Sequence, residues 1–146
     1  ILRQSYYRFG HLNAPVKGEW AMAHVMVCVT GQKTCEKLII EGSKLARELN
    51  AELSVLHVAH KGLNFMDNPS EGEALEYLYQ ISSQYGADMT MMRADNVVDA
   101  LIKVARRLEV DHLVMGAPGN RGGHDLTMEL GLRMPDVQIH VVYTRG

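Results

Sequence analysis

Five apolar runs of strand length, each parted from the next by a helix-length stretch or a loop and short helix, constrain this chain more than any other feature. The first is Val25-Met-Val-Cys-Val29. It is followed by a helical pattern with Thr34 as expected N-cap, with Leu38, Gly42, Leu45 and Leu49 on one face and Asn50 at a left-handed end. Leu53 to Val58 reads as the second strand and Lys61 to Pro69 as a polar loop. Ser70 and Glu73 are spaced as a capping box for a helix running to about Tyr85, with Leu75, Leu78, Tyr79 and Ser82 inward and Gly86 ending it. Ala87 to Met92 is the third strand. Asp95 or Asn96 then caps a helix with Val97, Leu101, Val104, Ala105 and Leu108 inward, and His112 to Met115 is the fourth strand. A short helix and Pro135 lead to the fifth, Val137 to Tyr143. Strands joined through helices pair in parallel by right-handed crossovers, and their sheet is covered on both faces. The prediction is an α/β, doubly wound, parallel five-stranded sheet in a single domain. An echo between Glu48 to Leu56 and Gln84 to Met92, each a helix end, a turn, Ala plus an acid and a strand, fits two successive βα units rather than a solenoid.

In such sheets ligands bind beyond the carboxyl ends of the strands, where the winding reverses. The segment Gly116-Ala-Pro-Gly119-Asn-Arg-Gly122-Gly123-His-Asp125 lies between the fourth strand and the short helix. Glycines let backbone approach an anion, and the free N–H groups of a helix start face it. If the reversal falls between strands one and four, this loop and Thr30 to Thr34 form two lips of one crevice. The candidate nucleotide or anion residues are therefore Thr30, Gly31, Lys33, Thr34, Val58, Gly116, Gly119, Asn120, Arg121, Gly122 and Gly123, with His124 as a further source of charge. The competing reading is a Gly-rich turn flanked by ordinary solvated charges. Gly31-Gln-Lys-Thr34 is not a Walker loop, because that motif needs Gly directly before Lys and another glycine upstream.

Composition narrows the function classes. A net charge of -2 gives no basic surplus for nucleic acid, and no apolar run approaches the roughly 20 residues of a membrane span. Cys28 and Cys35 fall in a strand and at a helix start, which suits reduced thiols in a cytoplasm better than a disulfide framework. Cys35, beside Lys33 and Lys37, is either an activated thiol or a small apolar residue, and the second reading is preferred. The nine methionines fit the core as adaptable filler. The seven histidines have no metal-ligand spacing, and His57, His112 and His140 sit in strands, where a hydrogen-bonded structural role is expected. There is no nucleophile elbow and no Cys-x-x-Cys, so no catalytic constellation is predicted.

The element order, the strand His24-Val-Met-Val-Cys-Val-Thr30, the segment Glu48-Leu-Asn-Ala-Glu-Leu-Ser-Val-Leu-His-Val58 and Gly116-x-x-Gly119 together resemble the universal stress protein family over His24 to Val142. The resemblance is nearest to small stand-alone members of Gram-positive bacteria and to the stress-protein-like domain of KdpD potassium-sensor kinases. It implies an adenine nucleotide alpha hydrolase-like sheet in the order 3-2-1-4-5, a homodimer in many members, and ATP binding in some. Members that bind ATP carry an Asp just after strand one; here that place is Thr30 or Gly31. They also carry Gly-Ser or Gly-Thr after a nine-residue gap from the second motif glycine. Here that gap ends at Glu129, whose charge would repel phosphate, and Gly131 comes two residues late, followed by Leu132.

The expectation is thus a non-enzymatic regulatory module with a degenerate nucleotide pocket, ATP or another adenine nucleotide being its candidate ligand. The alternatives are an ATP-binding stress protein with slow or no hydrolysis and a sensory domain related to that of KdpD. The fifth strand, with Val137, Ile139, Val141 and Tyr143 alternating with Gln138, His140 and Val142, is the expected homodimer edge, and a further protein partner is anticipated. The domain is placed at 22–146. Ile1 to Ala21 has no periodicity and reads as a poorly ordered leader or linker. Lys17-Gly18-Glu19 can be encoded by a ribosome-binding sequence upstream of a Met22 start, so translated upstream sequence is the expected origin. The alternatives are a vector remnant or a linker from a larger protein, such as a kinase or transporter.

Overall fold

A computed structural model of the protein describes residues 22–62, 69–117 and 126–143. The expectation for residues 1–21 lies outside them. The elements are β1 (His24–Cys28), a 3-10 turn (Lys33–Cys35), α1 (Glu36–Leu49), β2 (Glu52–His60), α2 (Pro69–Gln84), β3 (Asp88–Ala94), α3 (Val97–Arg107), β4 (His112–Gly116), α4 (Leu126–Arg133) and β5 (Gln138–Val142). They form one parallel sheet in the order β3-β2-β1-β4-β5. Winding therefore proceeds one way from β1 to β3 and reverses between β1 and β4.

Side chains of β1 alternate between the two faces, as a pleated strand requires. Val25 and Val27 join Leu38, Ile39, Leu75 and Leu78 under α1 and α2. Met26 joins Leu101, Ile102, Leu113 and Leu130 under α3 and α4. Both clusters are fully shielded at their centres, since Val25, Met26, Val27, Leu78, Leu113 and Leu130 are all 0% exposed. Gly42 lets α1 settle onto β1, because a Cβ there would collide with Val27 Cγ2.

Local signals mostly act as expected. Asn50 ends α1 in the left-handed conformation at φ 53° and ψ 48°, and Gly86 follows α2 at φ 76°. Asn96, not Asp95, caps α3 by accepting from the Asp99 N–H at 2.9 Å.

Three expectations are corrected. Thr34 caps nothing: it lies inside the 3-10 turn, where its hydroxyl meets the Gln32 side chain at 3.4 Å, and neither that turn nor α1 has a side-chain cap. Ser70 does not open α2, because Pro69 takes the first helical position, for which its fixed φ and missing N–H suit it. The inward faces are also rotated or shortened. Ile39, Ser43 and Ala46 are buried in α1 while Leu49 is exposed, Ile81 replaces Tyr79 in α2, and Leu108 is the exposed C-cap of α3. At the β5 edge Tyr143 is 72% exposed, while Val137, Ile139 and Val141 are half-buried against the α3–α4 cluster.

Candidate functional site at the winding reversal

The segment after β1 is held by the strands beside it. The Val29 N–H donates to the Leu56 carbonyl at 2.9 Å, and His57 Nδ1 donates to the Val29 carbonyl at 2.9 Å. This is the structural role expected of a strand histidine. The chain then turns so that the Thr30 N–H and hydroxyl both lie 3.4 Å from Cys35 Sγ. On the far side of the reversal the Ala117 N–H donates to the Val142 carbonyl at 3.0 Å, fixing the exit of β4.

Between these two exits lies a cavity of about 440 Å³. Cys28, Val29 and Thr30 supply one wall, Leu56 and Val58 another, Met115, Gly116 and Ala117 a third, and Val97, Leu101 and Leu126 close it from the α3–α4 side. None of the described lining residues carries a formal charge. A Cβ on Gly116 would meet Leu38 Cδ1 at 3.8 Å and the Val142 carbonyl oxygen at 3.9 Å, ordinary contact distances.

A second, polar hollow of about 550 Å³ adjoins it, sharing Thr30 and Gln32 and lined also by Gly31, Lys33, Ser70, Glu71 and Glu73. The carboxylate of Glu71 reaches over Gly31, with Oε2 2.6 Å from where a Cβ would stand. The segment from Val29 to Cys35 carries no acid of its own, while Glu71 reaches over it from α2. Lys33 turns its ammonium over the Tyr77 ring, 5.6 Å from the centroid, and Tyr77 in turn donates to Glu36 at 2.7 Å.

Among the residues predicted from sequence, Thr30, Val58 and Gly116 line the cavity, and Gly31 and Lys33 line the hollow beside it. Thr34 lines neither. Gly119, Asn120, Arg121, Gly122 and Gly123, together with His124, lie outside the described residues. Leu56, Leu101, Met115 and Leu126 were missed; Met115 at a strand exit and Leu126 at a helix start carried a positional signal, whereas Leu56 in mid-strand and Leu101 in a second helical turn did not. Glu129 accepts from Arg133 Nη1 at 3.2 Å, and that guanidinium also holds Asp99 at 2.9 Å. No group of three or more His, Cys, Asp or Glu among the described residues could hold a metal ion. No described helix is long and apolar enough to cross a membrane.

Cys35 belongs to the packing, while Cys28 forms part of the cavity wall. Cys35 is 5% exposed within the α1–α2 core, as its apolar reading expected. Burial pushes the Cys28 thiol up to about 12, so it stays protonated at neutral pH. Native protein at pH 7.5 is therefore expected to release no rapid colour from Cys28 with a disulfide reagent until urea unfolds it. Prompt reaction in the native state, lost in Cys28→Ser, would contradict this placement.

An open parallel sheet in this order, with its cavity where the winding reverses, is the doubly wound α/β fold that solved universal stress proteins share. Within that class the chain belongs to the universal stress protein family, whose model matches residues 22–129. The sequence is 34% identical over 97 residues to the sensor protein KdpD of Mycobacterium tuberculosis; the match takes in 66% of this chain and 11% of that much longer protein. A universal stress protein crystallised in complex with cAMP superposes with a TM-score of 0.64 at 16% identity, covering 85% of this chain and 99% of the other. The Archaeoglobus fulgidus universal stress protein in complex with dAMP gives 0.59 at 16%, covering 82% and 96%.

Proposed function

We propose that this chain is a regulatory module of the universal stress type, non-catalytic, whose pocket accepts the nucleoside part of an adenine nucleotide without gripping a triphosphate. The carrying observation is the 440 Å³ cavity at the β1–β4 reversal with no charged group among its described lining residues. An apolar cavity with a few polar atoms at its rim suits a flat base. Phosphates need cations or a cradle of amides, and among the described residues the adjoining hollow sets two acids, Glu71 and Glu73, against Lys33, whose ammonium lies over the Tyr77 ring. The cAMP and dAMP complexes of relatives with this fold support the choice of adenine as the base. Similarity to KdpD supports a second setting, in which the same module serves as a sensory domain and acts on a protein partner in a cytoplasm. Dimerisation through the β5 edge completes the reading, since β5 is the last strand on its side of the sheet.

Thermal unfolding with equal millimolar concentrations of adenosine, cAMP and ATP tests the pocket. Adenosine and ATP are expected to raise the midpoint by similar amounts. A much larger rise with ATP would show that the triphosphate is held and would favour an ATP-binding stress protein instead.

A further inference from the structure

His112 and His140 stand 28 residues apart in the chain, yet the sheet places them together. In the β4–β5 register Val114 faces His140 and His112 faces Gln138, so the two histidines are diagonal neighbours. Alternation puts both on the face shared with Val114 and Val142, which pack toward the α1–α2 core. His112 Nδ1 and His140 Nε2 are 3.0 Å apart, and the ring planes are tilted by 36°. Both side chains are half-buried, so the pair is at once held by its strands and reachable from solvent.

From this juxtaposition we propose that His112 and His140 form a two-imidazole chelate for a divalent first-row transition ion of the zinc-to-copper class. Imidazole nitrogens bind such ions at about 2.0–2.1 Å, so two cis ligands lie roughly 3 Å apart, the spacing that the pair already has. The hydrogen bond between them leaves one facing nitrogen with a proton. On metal binding that ring moves its proton to its other nitrogen, both facing lone pairs turn to the ion, and no net proton is released. Gln138, exposed on the same face, is placed to add an oxygen, and water fills what remains. Two protein nitrogens with open positions make an exchangeable site suited to sensing rather than to holding the fold.

Isothermal titration of the untagged full chain with Zn²⁺ in chelator-free buffer tests the assignment. The tightest Zn²⁺ is expected to be lost or weakened roughly a hundredfold in His112→Gln and equally in His140→Gln, with the double variant no worse, because losing either arm destroys the chelate. His60→Gln, on an exposed residue at the end of β2, is expected to leave it unchanged. Undiminished affinity in either variant, or no Zn²⁺ binding by the wild type, overturns the proposal. If a variant fails to fold by circular dichroism, one equivalent of Cu²⁺ on the wild type decides. Paramagnetic resonance is expected to show coupling to at least two imidazole nitrogens, and fewer than two overturns the assignment.

Discussion

Leu113→Ala is expected to cost about 2–5 kcal/mol of stability, while Leu132→Ala stays within about 0.5 kcal/mol of wild type. Leu113 is 0% exposed on β4, the strand between β1 and β5, and packs in the cluster with Met26, Leu101 and Leu130. Removing its isobutyl group subtracts buried apolar area and leaves a cavity that strands fixed by ladders on both sides cannot close. Leu132 is chemically identical but 77% exposed, so its truncation removes almost no buried area. Urea unfolding followed by circular dichroism reads both. Equal costs would mean that β4 is not the centre of the core. A loss at the upper end would consume much of the stability of a domain this size and show as poor expression.

Val141→Pro is expected to turn a dimer into a monomer and leave the fold intact. The Gln138 N–H donates to the Asp111 carbonyl and the Val142 carbonyl accepts from Ala117, so residues 138, 140 and 142 turn their backbone toward β4. By the two-residue period of a strand, Ile139 and Val141 turn theirs to the outer edge. Proline at Val141 removes an outward donor without touching the β4 ladder, the position where an edge strand tolerates it. Two β5 strands pairing about a two-fold axis would lose that bond in both copies. His140→Pro, by contrast, removes an inward donor and is expected to disrupt the sheet itself. Sedimentation velocity separates these outcomes. A wild type that sediments as a monomer, or a Val141→Pro dimer, would refute pairing through this edge.

The strands were legible because each is a compact apolar run between turn residues, and their parallel pairing followed from the helical stretches in the connections. Their order came from the family resemblance, since alternation alone does not fix it. Helix faces were less legible. Tyr79 and Leu49 have apolar character, but one is amphipathic and the other ends its helix, so each is left outside while Ile81 and Ala46 take the buried places. The capping box at Ser70 and Glu73 lost to its neighbour Pro69, a local competition that spacing does not reveal. At the site, Thr30, Val58 and Gly116 were found because strand exits at a switch point are predictable. The facing of His112 and His140 was not, because it depends on the register of two strands 28 residues apart rather than on any spacing in the chain.

A degenerate pocket on a non-catalytic module, as proposed, holds ATP weakly and leaves it intact. Stability in 1 mM ATP tests it most directly, measured by urea unfolding on protein first checked for adenine absorbance and then assayed in the same sample for released phosphate. A ligand present at a hundred times its dissociation constant adds about 2.7 kcal/mol. The expected result is no co-purified adenine, a gain well below that value, and no phosphate release above the buffer rate. Stoichiometric bound nucleotide, a gain of about 2.7 kcal/mol or more, or phosphate release that disappears on filling the cavity with Val58→Trp would contradict it.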